Sequence, residues 1–257
     1  MIKKTLLKIY YWSSNSPERT DYFQKIARDC EWEAVREFIK IGNFLDVGCG
    51  AGYAMILANK LGCEAKGIDP YPMEHGVGRR QVNFQISAND IIIAKSEQIP
   101  FPDNSFDTLF SSHVLEHVDN MTKSLQEMNR VVSPDGIIII GVPSSSMAML
   151  SWFSQLIFVT HQNIVNVLFR KFIKTGKTKW WEIFIPRSHS FPNKTIWVDV
   201  KNYKENKWKK VINNELNILQ IIRPCFYSFP QYKQLFPLRK SGIFSSSIFF
   251  ICSKKNI

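Results

Sequence analysis

Two groups of residues have the types and spacing to do chemistry. In the first, Asp46 precedes Gly48-Cys49-Gly50-Ala51-Gly52, and Asp69 lies 21 residues after Gly48. Glycines at alternate positions behind the apolar run Phe44 to Val47 suit a tight strand-to-helix loop, whose backbone N–H groups and helix amino terminus face a ligand. An aspartate ending the next strand can accept hydrogen bonds from ribose hydroxyls. The pattern is G-x-G-x-G; a dinucleotide fingerprint would need its third glycine at position 53, which is Tyr53. The glycine run is not followed by Gly-Lys and Ser or Thr, so a phosphate-cradling P-loop is excluded there. The second group is His113, His117 and His189, imidazoles able to take a proton near neutral pH.

These residues need a scaffold, and the hydrophobic periodicity supplies one. Asp21 to Lys40 repeats apolar residues at helical spacing and predicts an amphipathic helix. Short apolar strands are expected at Phe44–Val47, Ala65–Ile68, Ile91–Ala94, Thr108–Ser111 and Ile137–Val142. Helices are expected at Tyr53–Leu61 and Met121–Val132, and Ser133-Pro134-Asp135-Gly136 reads as a turn. Strands of four to six residues alternating with helices mean a parallel sheet covered on both faces. Ligands of such sheets lie beyond the carboxyl ends of the strands, where the glycine loop falls. After Pro143 the pattern changes: Met147–Val159 is apolar apart from Ser151, Ser154 and Gln155, and Asn163–Ile173 is apolar beside Arg170, Lys171 and Lys174. A helix at Tyr203–Asn213 and strands at Leu216–Ile222 and Ser246–Cys252 then close the chain.

The 257 residues carry 33 Lys+Arg and 22 Asp+Glu, a net charge of +11, but the charge is unevenly placed. Residues 1–145 have 15 basic and 18 acidic side chains, and residues 146–257 have 18 and 4, so the carboxy-terminal part alone carries +14. Such asymmetry points that part toward something anionic, or toward a plain lysine-rich solvated surface. Five scattered cysteines without a C-x-x-C pair indicate neither a disulfide framework nor a metal site, and fit a reducing cytoplasm. The amino terminus imitates a signal peptide, but Lys8 interrupts its apolar run.

Four motifs in order carry a resemblance: Asp46-Val47-Gly48-Cys49-Gly50-Ala51-Gly52; Ala94-Lys95-Ser96-Glu97-Gln98-Ile99-Pro100-Phe101 running on to Phe106-Asp107; Ser112-His113-Val114-Leu115-Glu116-His117-Val118; and Val131-Val132-Ser133-Pro134-Asp135-Gly136. Over about residues 40–145 the chain resembles the class I S-adenosylmethionine-dependent methyltransferases, in their small-molecule, type 11 branch. The resemblance implies an α/β, Rossmann-like, doubly wound, mostly parallel sheet and S-adenosylmethionine as cofactor, with no metal. It implies that Asp46 orients the methionine end, that Gly48, Cys49 and Gly50 form the loop beside it, and that Asp69 holds the ribose. Lys95, Ser96 and Glu97 would border the adenine, and Ser112 and His113 would lie between cofactor and acceptor. His113 and His189 are the candidate catalytic bases, whereas His117 matches a position that is usually structural. Lys95 departs from the acid the family often has beside the adenine amino group, because lysine cannot accept that hydrogen bond.

The resulting expectation is one methyltransferase domain over residues 1–257. It divides into a cofactor-binding core at 1–143, a helical, basic and aromatic insertion at 144–197 and closing elements at 198–257. The insertion combines Trp152, Phe153, Phe158, Phe169, Phe172, Trp180, Trp181 and Phe184 with Arg170, Lys171, Lys174, Lys177 and Lys179. It is expected to cover the acceptor pocket, either as a plain helical lid or as a lid that also docks on an anionic membrane. The acceptor is expected to be a small molecule, a glycan or a lipid-linked glycan, methylated on oxygen, in the cytoplasm or at the inner face of a membrane. A non-catalytic S-adenosylmethionine-binding module and a nucleic-acid methyltransferase are the alternatives; no RNA-binding module or N-P-P-Y-type tetrad favours the latter.

Overall fold

The computed structural model describes residues 17–72, 74, 77, 90–154, 156, 185, 188–191, 194–227 and 244–255. Helix α1 (Pro17–Val35) runs into a short 3₁₀ turn, Arg36–Phe38, and leads to β1 (Asn43–Val47). There follow α2 (Tyr53–Lys60), β2 (Glu64–Ile68), β3 (Ile91–Ile92), β4 (Phe106–Ser112), α3 (Met121–Val131) and β5 (Val132–Pro143). The chain continues with α4 (Ser145–Ser154), α5 (Ile196–Asn202), α6 (Glu205–Glu215), β6 (Asn217–Ile222) and β7 (Ser247–Ser253). The seven strands form one sheet in the order β3-β2-β1-β4-β5-β7-β6. The first five are parallel; β7 inserts antiparallel between β5 and β6. This is the doubly wound, Rossmann-like arrangement the sequence implies.

Successive strand residues point to opposite faces, and the core divides accordingly. Leu45, Val47, Leu109, Ile138, Ile140 and Phe250 pack on one face with Leu125, Met128, Trp208 and Ile212 of α3 and α6. Phe44, Phe110, Ile139 and Phe249 pack on the other with Trp32 and Val35 of α1 and Met55 and Ala58 of α2. Both faces are covered, which is why these strands read as continuous apolar runs rather than alternating ones.

The turn expected at Ser133–Gly136 is instead an excursion within β5. Val132 pairs with Phe106, and pairing resumes at Ile137 opposite Thr108, so five steps along β5 oppose two along β4. Gly136 has no room for a side chain there, since a Cβ would lie 2.4 Å from Val132 Cγ1. Helix α5 is an element the periodicity did not mark, because seven residues are too few to show it. The expected segment Asn163–Ile173, and the aromatic and basic residues between Phe158 and Phe184, lie outside the described residues. Among the described residues, no helix is long and apolar enough to cross a membrane.

Candidate active site

The loop after β1 is held by backbone and acid together. The N–H groups of Gly48 and Cys49 both donate to Ile68 O, at 2.8 and 3.1 Å, tying the loop to the end of β2. Gly48, Gly50 and Gly52 all have positive φ, at 76°, 53° and 79°. At Gly48 the space is limited by the protein itself: a Cβ would fall 2.2 Å from Val114 Cγ2. The turn carrying His113 and Val114 thus rests on the glycine loop. Asp69 caps the loop from the neighbouring strand, its Oδ2 accepting from Gly50 N at 2.8 Å and its Oδ1 from Tyr71 N at 2.7 Å. A carboxylate can accept about four hydrogen bonds, which leaves acceptor capacity for two hydroxyls.

Asp46 is 4% exposed, and its pKa is pushed up to about 8, first by burial and then by the charge of Asp69. Two buried acids that no basic side chain among the described residues neutralises make a receptor for a cation. The Cys49 thiol is buried beside them and raised by burial and by both acids, so it stays neutral. A Cβ at Gly67 would meet Cys49 Sγ at 2.7 Å, which shows the thiol packing closely on β2.

Lys95, Ser96 and Glu97, expected beside the adenine, make separate contacts within the protein. Lys95 Nζ reaches out to Asp119 at 3.0 Å, which raises its pKa. The buried Ser96 hydroxyl bonds Ser124 of α3 at 2.9 Å. Glu97 Oε1 accepts from the backbone of Asp119 and Asn120 at 3.0 and 3.3 Å. The latter two side chains therefore fix the start of α3, and it is Asp119, paired with Lys95, that brings an acid to this rim.

Beyond β4 lies a buried polar cluster. His113 has φ 59°, and its N–H is anchored on Gly141 O at 2.8 Å. Its Nε2 stands 3.3 Å from Glu31 Oε1 and 3.4 Å from the Tyr227 hydroxyl, and its Nδ1 stands 3.4 Å from Glu116 Oε1. Glu31 also receives the Tyr227 hydroxyl and the Arg28 guanidinium. Arg28 reaches Ser112 Oγ at 3.2 Å. Burial alone would raise Glu31, but Arg28, aided by His113, overrides it and holds the carboxyl at about 2. Burial and Arg28 work to lower His113, yet Glu116 and Glu31 outweigh them and its pKa is raised, favouring an imidazolium between two carboxylates. Burial, with the charge of Glu31 close by, raises Tyr227 far above the phenol range, so it remains a donor. Glu116 has no solvent-exposed side-chain surface, and among the described residues its oxygens have no well-formed hydrogen bond, the nearest donor being His113 Nδ1 at 3.4 Å. Burial would raise it, and the neighbouring His113 and His117 lower it.

His189 joins from a distance in sequence. Its backbone N–H donates to the buried Asp199 of α5 at 2.7 Å, and its ring meets His117 edge-on, with centroids 5.0 Å apart. Dense packing and then His117 push its pKa down to about 4. The residue nevertheless exposes part of its surface, and water there screens some of that push; the imidazole is neutral at pH 7 either way. The structure thus brings His113, Ser112 and, through His117, His189 to one place, and adds Arg28, Glu31, Glu116 and Tyr227, which sequence reasoning did not single out. A signal existed for Glu31: it falls four residues after the buried Ala27, on the apolar stripe of α1 with Trp32 and Val35. Among the described residues, no group of three ligating side chains is placed to hold a metal ion.

Comparison with known proteins finds a domain match over the core of the chain. Residues 45–140 match the methyltransferase domain family. The chain carries a class I S-adenosylmethionine-dependent methyltransferase domain of the type 11 branch. It is 32% identical over 98 residues to a sterol 4-C-methyltransferase of Caenorhabditis elegans, a match covering 37% of this chain and 29% of that one. It is also 32% identical over 95 residues to a malonyl-[acyl-carrier protein] O-methyltransferase of Serratia marcescens, covering 37% and 36%. The chain thus spans about a third of the length of these relatives. A solved methyltransferase from Thermotoga maritima, described as a possible histamine N-methyltransferase, shares the fold at TM-score 0.57 and 14% identity, over 93% of this chain and 94% of the other. The cofactor of this methyltransferase domain is S-adenosylmethionine, which is cationic at its sulfonium and ammonium groups. The Asp46–Asp69 pair, with no basic partner among the described residues, fits such a molecule.

Proposed function

We propose that the protein transfers a methyl group from S-adenosylmethionine to an oxygen of a small-molecule, glycan or lipid-linked glycan acceptor, in the cytoplasm or at the inner face of a membrane. When bound, the cofactor supplies an electrophilic methyl on a sulfonium, which an acceptor lone pair displaces in line, leaving a neutral thioether. Asp46 and the loop amides would hold the amino-acid end, and the spare acceptor capacity of Asp69 would take the ribose hydroxyls. Alignment of nucleophile and methyl supplies much of the acceleration in such a displacement. An acceptor hydroxyl forms its new C–O bond and gives up its proton; His113, once deprotonated, and Glu116 beside it are the groups placed to receive it. Arg28, Glu31 and Tyr227 orient that imidazole from the other side.

The observation that carries this reading is the meeting, at the carboxyl ends of the neighbouring strands β1 and β4, of a cation-fitting acid pair and a buried imidazole–carboxylate cluster. The relatives named above act, by their names, on a sterol carbon and on an oxygen of a malonyl thioester, so the shared core leaves the acceptor open. Calorimetry with S-adenosylmethionine and S-adenosylhomocysteine tests the first half, and failure to bind either refutes it. Mass spectrometry of lipid and glycan extracts incubated with methyl-labelled cofactor, with and without the protein, identifies the acceptor. Binding without any labelled product would instead support a non-catalytic module.

A further inference from the structure

An apolar surface on α4 and α5 takes no part in the chemistry above. Met149 and Phe153 are four residues apart on α4, hence on one face, and are 46% and 48% exposed. Trp197 of α5 is 45% exposed. Trp152 joins the two helices, its ring 5.1 Å from Phe153 and 5.2 Å from Trp197. Lys201, one turn after Trp197, is exposed, as are Lys194 and Lys204 at the two ends of α5. Helix α4 carries no acid, and the acid of α5, Asp199, is buried on the site side.

We infer that Met149, Phe153 and Trp197, with Lys201 of α5 and Lys194 and Lys204 at its two ends, form a docking surface for an anionic lipid membrane. Exposed Trp, Phe and Met side by side fit the headgroup–acyl boundary, and lysines at the rim meet lipid phosphates. Charge selects this occupant over a second copy of the chain: the lysines of α5 and its ends are exposed while α4 has no acid and the acid of α5 is buried, and two such surfaces brought face to face would repel. The placement gives the docking a purpose. Helix α4 begins at the carboxyl end of β5, and Ser145 ties it to α5 through Val200 O at 2.7 Å and Tyr203 O at 3.1 Å. On its inner side α5 uses Asp199 to hold His189 against His117. One short helix therefore carries Trp197 outward and the wall of the acceptor side inward, so a membrane seated on it presents lipid-borne acceptors to the mouth of the site. This deepens the lipid-linked branch of the proposed function and rests on it for its purpose, while the binding itself is read without cofactor or acceptor.

The test is co-sedimentation of the full chain with phosphatidylglycerol–phosphatidylcholine vesicles and with pure phosphatidylcholine vesicles. The expected result is binding to the anionic vesicles at low salt that weakens as salt is raised. The pair Phe153→Ser and Trp197→Ser should weaken it about tenfold or more through lost apolar burial. The pair Lys201→Glu and Lys204→Glu should weaken it about tenfold or more through charge. Unchanged S-adenosylmethionine binding by calorimetry shows that the variants are folded, and a failure there speaks against the methyltransferase reading rather than against docking. No binding of the unaltered chain to anionic vesicles at low salt overturns the inference. So does equal binding by the serine pair, or a self-association that the serine pair abolishes while vesicles bind neither protein.

Discussion

The glycine loop at Asp46–Gly52 and the cluster around His113 stand at the carboxyl ends of adjacent strands, but they are made from different materials. The loop is local: a few consecutive residues, one acid from the next strand, and bonds that run mainly through backbone N–H groups. The cluster is assembled from α1, the end of β4 and the segment after β6, joining Glu31 to Tyr227 across 196 positions of sequence. A backbone-built site imposes its demands on residue type at each position, so it is written in the chain. A site built from side chains imposes demands on distance, which the chain alone does not display. The two are in contact where Val114 packs on Gly48, so each can be disturbed separately or through the other.

The largest effect is expected at Glu31. Glu31→Ala leaves the Arg28 guanidinium buried without its partner, and breaking such a pair costs about 3–5 kcal/mol. Chemical denaturation should show that loss, while Glu31→Gln keeps the shape and recovers part of it. At His113, the replacement His113→Gln should leave S-adenosylmethionine binding intact by calorimetry and slow methyl transfer about a hundredfold or more, the range of general base catalysis. Loss of cofactor binding along with rate would show that the two regions are one. Gly48→Ala runs the opposite experiment: it meets both a positive φ and Val114, at about 1–3 kcal/mol for the backbone alone. Cofactor binding should be weakened, and the turn carrying His113 should shift with Val114, visible in histidine NMR resonances.

A smaller effect is expected on pH dependence between 6.5 and about 8. The folded chain keeps the Asp46 proton up to about pH 8, whereas the unfolded chain has released it well below, so raising the pH costs stability. His113 acts in the same direction: its raised pKa contributes stability that is complete below 6.5 and lost as the pH climbs through the folded value. Glu31 and Glu116 are ionised in both states above 6.5 and add no slope there. The thermal midpoint of the cofactor-free protein should therefore fall across this window, and saturating S-adenosylmethionine should flatten the Asp46 share by placing a cation beside it. A midpoint that rises instead would contradict both assignments. The least effect belongs to Lys95→Met. It removes an exposed ion pair with Asp119, and the thermal midpoint should not move measurably.

The sequence alone determined the alternation of strands and helices and the glycine loop. It also located Asp46 and Asp69, because short-range demands such as positive φ, period and chain spacing select residue types position by position. The strand order, the excursion at Ser133–Gly136 and the partners of His113 were decided only when the chain closed on itself. A buried charge such as Glu31 is stabilised by whichever groups packing brings within 3–4 Å of it, and no local pattern names them. The histidine at 113 was readable as a candidate for chemistry. That it stands between two carboxylates, which raise its pKa, and is held under α1 is a property of the fold.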